Sequence, residues 1–245
     1  MPEQRISSLT ICQDEQEYIL NMLMFLKEVV RPDEYVIVDG GSKDFTITVI
    51  EQFAEKWNLN LKLIQNPMPD SFSEQRNIAL DACSGDWILH IDADETYSES
   101  IKTLIGSVKS GGYSQIFGFV FPTAHLIKDQ FHMLDGGGDI HLRLFRNDRN
   151  TWYVGDVHER ISWDGKPIIN GIEGFNIIPT NGIALKHYSL IKGNEALILK
   201  GKRYVKWLER SREAGIPLTD ENHFISARDN AVAEGKFIEL PEEWY

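Results

Sequence analysis

Trp87-Ile88-Leu89-His90-Ile91-Asp92-Ala93-Asp94-Glu95 reads as an apolar strand running straight into an Asp-x-Asp pair. Successive side chains of a strand point to opposite faces, so two carboxylates two residues apart are expected to project the same way from its exit. Such a pair attracts a hard divalent cation, which takes oxygen ligands and keeps positions open for phosphate or water. Open parallel sheets bind ligands outside the carboxyl ends of their strands, where this pair belongs. The competing reading is a solvated loop in an acidic chain.

What precedes the pair weighs against that competitor. Ile6 to Cys12 is a short apolar strand followed by Gln13-Asp14-Glu15, and Ile19, Leu23, Leu26 and Val30 then recur at helical spacing. Tyr35 to Val38 is a second buried strand, ending in Asp39-Gly40-Gly41-Ser42-Lys43-Asp44. Glycine permits a tight turn there, Ser42 is expected to cap the next helix, and Asp44 suits that helix's positive end. Val49, Ile50, Phe53 and Trp57 should form its buried side. Lys62 to Gln65 reads as a third strand and Ser73 to Cys83 as a third helix. Alternation of this kind predicts an α/β fold, with a mostly parallel, Rossmann-like central sheet flanked by helices. Asp39 and Asp92 then lie at strand exits on one edge.

The character changes after about residue 111, where Gly111-Gly112 closes a helix carrying Ile101, Leu104 and Val108. From Ile116 to Ile191 the pattern is short strands and glycine-bearing loops, including Gly136-Gly137-Gly138. Beyond Asn194 it turns helical. No linker divides the chain, so residues 1–245 are expected to form one domain: a ligand-binding half (1–111), a second half (112–191) and a helical C-terminal tail (192–245). Lys200, Lys202, Arg203, Lys206, Arg210 and Arg212 concentrate positive charge on that tail. A solvated helix face explains them first, and contact with a phosphorylated acceptor or lipid headgroup second.

With 245 residues and 42% hydrophobic content, the chain has ample material for a core. A net charge of −12 argues against a nucleic-acid partner and against broad attraction to an anionic membrane. Peripheral membrane contact through a local patch stays open. The longest apolar run, Ile116 to Phe121, stops at Pro122 far short of a transmembrane segment, and Met1 to Arg5 lacks a signal peptide's apolar region. Cys12 and Cys83, both in apolar segments, suggest reduced buried thiols. These features together suggest a cytoplasmic protein.

The ordered run of Ser8 to Asp14, Val38 to Thr46, Gln75-Arg76-Asn77 with Ala79, and Trp87 to Glu95 resembles a family 2 glycosyltransferase with the GT-A fold. Further on, Arg143-Leu144-Phe145-Arg146, Trp152 and Val157-His158-Glu159 resemble the branch that includes lipopolysaccharide-core β-glucosyltransferases. The similarity runs in order over roughly residues 6–190. At Asp14 the family more often has Asn.

The resemblance implies an inverting, metal-dependent enzyme with Mn2+ or Mg2+ as cofactor. It would move a sugar from a nucleoside-diphosphate sugar, a UDP-sugar foremost, to a hydroxyl of a saccharide or lipid-linked glycan acceptor. Asp94 is the expected metal ligand, with Asp92 reaching the metal through water or holding the ribose. His187, ending the Ala184-Leu185-Lys186 strand, matches a histidine that closes the metal site in many GT-A enzymes. A buried structural histidine is its alternative. Glu15 and Asp39 are assigned to the nucleotide, since a carboxylate accepts a base N–H. Arg76 orients these carboxylates or the phosphates, unless it is a surface helix arginine. Glu159 matches the catalytic base that must take the acceptor's hydroxyl proton, with Asp156 in reserve and His158 ordering the loop. Its alternative is a salt bridge to a nearby arginine. His90, His125, His132, His141 and His223 show no metal-ligand spacing among themselves. Gly136 to Gly138 are candidates for close approach to the donor sugar, and Trp152 or Trp163 for stacking on an acceptor ring or, equally, for the core.

Three other readings remain. Asp92-Ala93-Asp94-Glu95-Thr96 also matches the opening of haloacid-dehalogenase-type phosphatases, although that family normally begins on this strand. A nucleotidyltransferase usually opens with a glycine-rich basic loop, and residues 6–16 contain no glycine. The third is a catalytically silent glycan-binding protein on the same fold.

Overall fold

Strand β1 (Ile6–Cys12) is buried along its whole length and pairs in parallel with β2 (Glu34–Asp39), so both of its faces need cover. The computed structural model describes residues 3–69, 71–136, 138–155, 159–168, 171–172, 175–211 and 222–244. Along β2, Tyr35 and Ile37 enter one apolar cluster while Val36 and Val38 enter another. This two-residue period is what a sheet sandwiched between two layers requires.

The first layer is α1 (Ile19–Phe25), α2 (Thr46–Trp57) and, later in the chain, Ile101–Lys109; Met22, Leu23, Ile50, Phe53, Leu104 and Ile105 fill it. Here α1 ends as an α-helix at Phe25, and a π-helical turn carries the chain through Leu26–Val30 to Arg31, whose φ of 52° stops it. Ser42 does not cap α2. Its hydroxyl is held by Asp39, and Asp44 Oδ1 instead accepts the Thr46 N–H at 2.9 Å. Trp57 also departs from expectation. It is 40% exposed, and the Lys27 ammonium covers its ring at 3.5 Å.

After β3 (Leu61–Gln65) comes α3 (Phe72–Ala82), which packs Ala79 and Leu80 on the opposite face. Then follow β4 (Trp87–His90), β5 (Glu95–Tyr97), α4 (the Ile101–Lys109 helix), β6 (Ile116–His125), β7 (His132–Leu134), β8 (Ile140–Arg146), β9 (Thr151–Val154), β10 (Arg160–Trp163), β11 (Lys166–Pro167), β12 (Gly171–Ile172), β13 (Phe175–Pro179) and β14 (Leu185–His187). The chain continues through α5 (Asn194–Ser211), α6 (His223–Ala233) and β15 (Phe237–Glu239).

Among the described residues the main sheet runs β12-β13-β6-β8-β4-β1-β2-β3. β3, β2, β1 and β4 are parallel, whereas β8 is antiparallel to both β4 and β6. β6 also pairs in parallel with β13 and, farther along, with β14. Gly118 allows the close β6–β8 approach: a Cβ there would lie 2.7 Å from the Leu144 carbonyl oxygen. No helix among the described residues is long and apolar enough to cross a membrane. Cys12 and Cys83 are free thiols; Cys12 is buried and Cys83 half-buried.

At the opposite end of the parallel strands from the Asp-x-Asp turn, Glu34 ties four segments together. It accepts from Ser7 Oγ at 2.6 Å and from the Ser84 N–H at 2.8 Å, and pairs with Lys62 at 2.6 Å. Burial alone would raise its pKa, but Lys62, Ser7 and Ser84 outweigh that and bring it from 4.5 down to about 2. The unfolded chain therefore binds more protons in this window. The stabilisation is present above about 4.5 and is lost as pH falls through about 2. Glu34→Ala should cost roughly 2 kcal/mol at pH 7, since it strands buried donors while half-exposed Lys62 rehydrates. Urea denaturation at pH 7 and pH 3 checks this: the variant should lose less stability than the wild type on acidification.

Candidate functional site

The parallel direction of β1, β2 and β4 brings their C-terminal ends to one edge, and three loops meet there. In the first, Asp14 has a φ of 56°, a left-handed conformation that Asp and Asn tolerate better than most residues. Its carboxylate accepts the Lys43 N–H at 2.8 Å, and its own N–H donates to Ser42 Oγ at 2.9 Å, stitching loop one to loop two. In loop two Asp39 is fully buried. It accepts the backbone N–H groups of Gly41 and Ser42 at 2.8 and 2.9 Å and the Ser42 hydroxyl. Gly41, at φ 90°, makes that turn possible.

The third loop changes the expected geometry of the Asp-x-Asp pair. β4 ends at His90, and the Asp92 N–H turns back onto Glu95 Oε2 at 2.8 Å. Strand alternation therefore stops before the pair, and its two carboxylates take different partners.

Asp92 faces Arg76 of α3 at 2.6 Å and Arg143 of β8 at 3.4 Å. Burial works against its charge, but the two guanidinium groups hold its pKa well below the usual carboxylate range. Arg143 also reaches Glu95 at 2.8 Å. Burial, reinforced by the Asp92 charge against the pull of Arg143, pushes Glu95 up to about 7.

Both guanidinium groups approach His90 Nε2 at 2.6 Å, and a guanidinium can only donate. Nε2 is therefore the acceptor, and Nδ1–H points at the Tyr153 hydroxyl, 3.1 Å away. Burial and the two arginines keep this imidazole neutral. Arg76 is 7% exposed, not a surface arginine, and its Nε pairs with Glu159. One side chain thus links the first Asp of the pair to the residue expected to act as base. Asp156 and His158 lie outside the described residues, as does Gly137.

Asp94 belongs to a second cluster. Its Oδ2 lies 2.8 Å from Lys192 Nζ and 3.6 Å from His187 Nε2. Lys192 also grips Glu15, with both carboxylate oxygens at 2.7 Å. Burial opposes its charge, yet Asp94 and Glu15 raise its pKa above the ordinary lysine value. His187 sits opposite His125 in the β14–β6 register, their Nδ1 atoms 3.2 Å apart.

Among the described residues no three His, Cys, Asp or Glu side chains form a cage for a metal. A Mg2+-type site needs less, typically one or two carboxylates with substrate phosphates completing the shell. Asp94 and His187 converge as hard-oxygen and imidazole donors suited to such an ion. A ligating imidazole usually has its other nitrogen engaged, as His125 engages Nδ1 here. These residues fit a divalent cation.

Sequence reasoning missed Arg143, His90, His125 and Lys192 as members of the site. Arg143 and His90 lay inside quoted motifs. His125 and Lys192 carried no local signal. Of the basic residues on the helical tail, Lys202 is exposed.

A sheet of this order, with acidic turns at the exits of its parallel strands and an antiparallel β8 beside β4, is the GT-A glycosyltransferase architecture. The chain belongs to glycosyl transferase family 2, whose model matches residues 7–158. It is 23% identical to the lipopolysaccharide core biosynthesis glycosyltransferase LpsC of Rhizobium meliloti over 92% of this chain and 81% of LpsC. Other curated relatives match it over just 21% or 32% of their own length. Among solved structures, the mannosyltransferase PcManGT from Pyrobaculum calidifontis, in complex with GDP-Man and Mn2+, superposes with a TM-score of 0.56 at 15% identity, covering 94% of this chain and 70% of that one. S. aureus TarS 1-349 in complex with UDP gives 0.54 at 13% identity, covering 94% and 72%. The protein is accordingly a glycosyltransferase enzyme.

Proposed function

We propose that this enzyme transfers a sugar from a nucleoside-diphosphate sugar, a UDP-sugar foremost, to a hydroxyl of a saccharide or lipid-linked glycan in the cytoplasm. Residues 1–245 act as one catalytic domain, with 1–111 on the donor side, 112–191 on the acceptor side and 192–245 as a tail that, beyond the helices expected there, adds strand β15 against β7. The observation that carries this reading is the Arg76 bridge, which joins Asp92 at a strand exit to Glu159. Nucleotide and nucleotide-sugar complexes of the structural neighbours, and their Mn2+, support the donor class and the cation.

In this scheme the paired loops around Asp14, Glu15 and Asp39 receive the nucleoside. Asp39, expected to accept a base N–H, is fully buried and engaged by Gly41 and Ser42, so it acts by holding the loop that frames the base. Asp92, fixed as an anion by Arg76 and Arg143, faces the ribose. Asp94 and His187 hold Mn2+ or Mg2+, which when bound supplies Lewis-acid stabilisation to the departing diphosphate. The acceptor oxygen attacks the anomeric carbon as the bond to the diphosphate oxygen breaks. The hydroxyl proton passes to Glu159, which Arg76 holds in place. A single displacement inverts the centre, giving a β-linkage from an α-linked donor.

The phosphatase reading requires Asp92 as a free nucleophile, whereas two arginines clamp it. Melting-temperature shifts test the proposal and its rivals, because a ligand that binds only the folded state stabilises it. UDP with Mn2+ should raise the melting temperature more than either alone, and Asp39→Ala should mainly weaken that response. No shift with UDP, GDP or dTDP, with or without Mn2+, overturns the donor assignment. Binding without any transfer to glycan acceptors would favour the silent binder.

A further inference from the structure

Lys192 is 8% exposed and lies between carboxylates from two separate strand exits, Glu15 after β1 and Asp94 after β4. Its ammonium also stands 5.0 Å from the centre of the Tyr18 ring. A buried lysine held by three short contacts to carboxylate oxygens is a built feature, since an unpaired buried charge is strongly disfavoured.

The contested atom is Asp94 Oδ2, which faces both Lys192 Nζ at 2.8 Å and His187 Nε2 at 3.6 Å. A divalent ion seated between Asp94 Oδ2 and His187 Nε2 would meet the ammonium already on that oxygen, and two cations at contact distance repel. The lysine stem has four rotatable carbons, so the ammonium can leave while the backbone stays. That backbone is tethered: the Lys192 carbonyl accepts a hydrogen bond from Arg228 of α6 at 3.4 Å.

We propose, building on the donor site assigned above, that Lys192 is a resident counterion of Asp94 and Glu15, and that the donor diphosphate draws it away to make room for the metal. The diphosphate offers the ammonium new anionic partners, and the vacated Asp94 then binds the divalent ion. Metal and donor therefore bind cooperatively, each removing part of the cost of the other. By linkage the coupling is reciprocal. The free enzyme holds the metal weakly, which keeps the ion associated with turnover of the donor.

Isothermal titration of Mn2+ and of UDP, separately and together, tests this without any activity measurement. In the wild type, saturating UDP should tighten Mn2+ binding, within the roughly 5–150-fold range usual for coupled sites. Lys192→Met should bind Mn2+ alone about tenfold more tightly, bind UDP more weakly in the presence of chelator, and lose most of the coupling. Lys192→Arg, whose fork grips carboxylates more firmly, should weaken Mn2+ binding in the absence of UDP. Unchanged Mn2+ affinity in Lys192→Met overturns the proposal; should that variant not fold, unchanged affinity in Lys192→Arg does so. A wild type that binds neither Mn2+ nor UDP in any combination refutes the donor site instead.

Discussion

Glu159→Gln should stop sugar transfer while sparing donor binding. Glutamine keeps the size of the side chain, and its carbonyl oxygen still accepts from Arg76, so the buried cluster around Asp92 stays assembled. What it loses is the ability to take the acceptor's hydroxyl proton at neutral pH. Removing a general base typically costs about 10²–10⁴-fold in rate. The loss should therefore appear in kcat and leave the donor KM nearly unchanged. Steady-state kinetics at saturating acceptor measures both. A variant with near-normal kcat would take the base away from Glu159 and direct attention to Asp156 in the same loop.

Asp94→Asn should be comparably severe by another route. The amide preserves shape but removes the charge that pairs with Lys192 and, in the proposed site, would hold the divalent ion. Loss of one electrostatic element at a developing charge costs on the order of 10²–10³-fold. The rate should fall most steeply at low Mn2+ and recover only in part at high Mn2+. Near-normal turnover at low Mn2+ would remove Asp94 from the metal site. The fold itself should survive, because Asp94 lies in a turn beyond β4 and contributes no apolar packing.

The parallel half of the sheet was legible in the sequence because β1, β2 and β3 are short and each is followed by a helix with its own period, and the middle of β2 is apolar on both faces. Val36 and Val38 against Tyr35 and Ile37 show why: a strand covered on both sides favours apolar residues at successive positions. The acidic turns were legible because glycine and carboxylate chemistry is local. What escaped was everything supplied by register across large separations. Arg143 meets Glu95 across 48 residues, and Lys192 meets Glu15 across 177. No periodicity encodes such meetings. Ser42 was misjudged as a cap for a related reason: Asp39, three residues earlier, competes for the same hydroxyl. The common direction expected for Asp92 and Asp94 failed because the strand ends at His90.

The place of β8 in the sheet has a consequence for how the chain is made. β4 is flanked by β1 on one side and by β8 on the other, with Leu89 opposite Leu144 and Trp87 opposite Arg146. On a ribosome β4 is complete at residue 90, whereas β8 begins at residue 140. At ~5–20 residues per second, that interval lasts roughly 3–10 s. Throughout it, β4 presents an open hydrogen-bonding edge carrying Trp87 and Leu89, a template for pairing with a neighbouring nascent chain. Asp92 and Glu95 wait over the same interval for the guanidinium of Arg143. The newborn protein therefore carries an open sheet edge after its parallel strands are made and before the strand that seals them arrives.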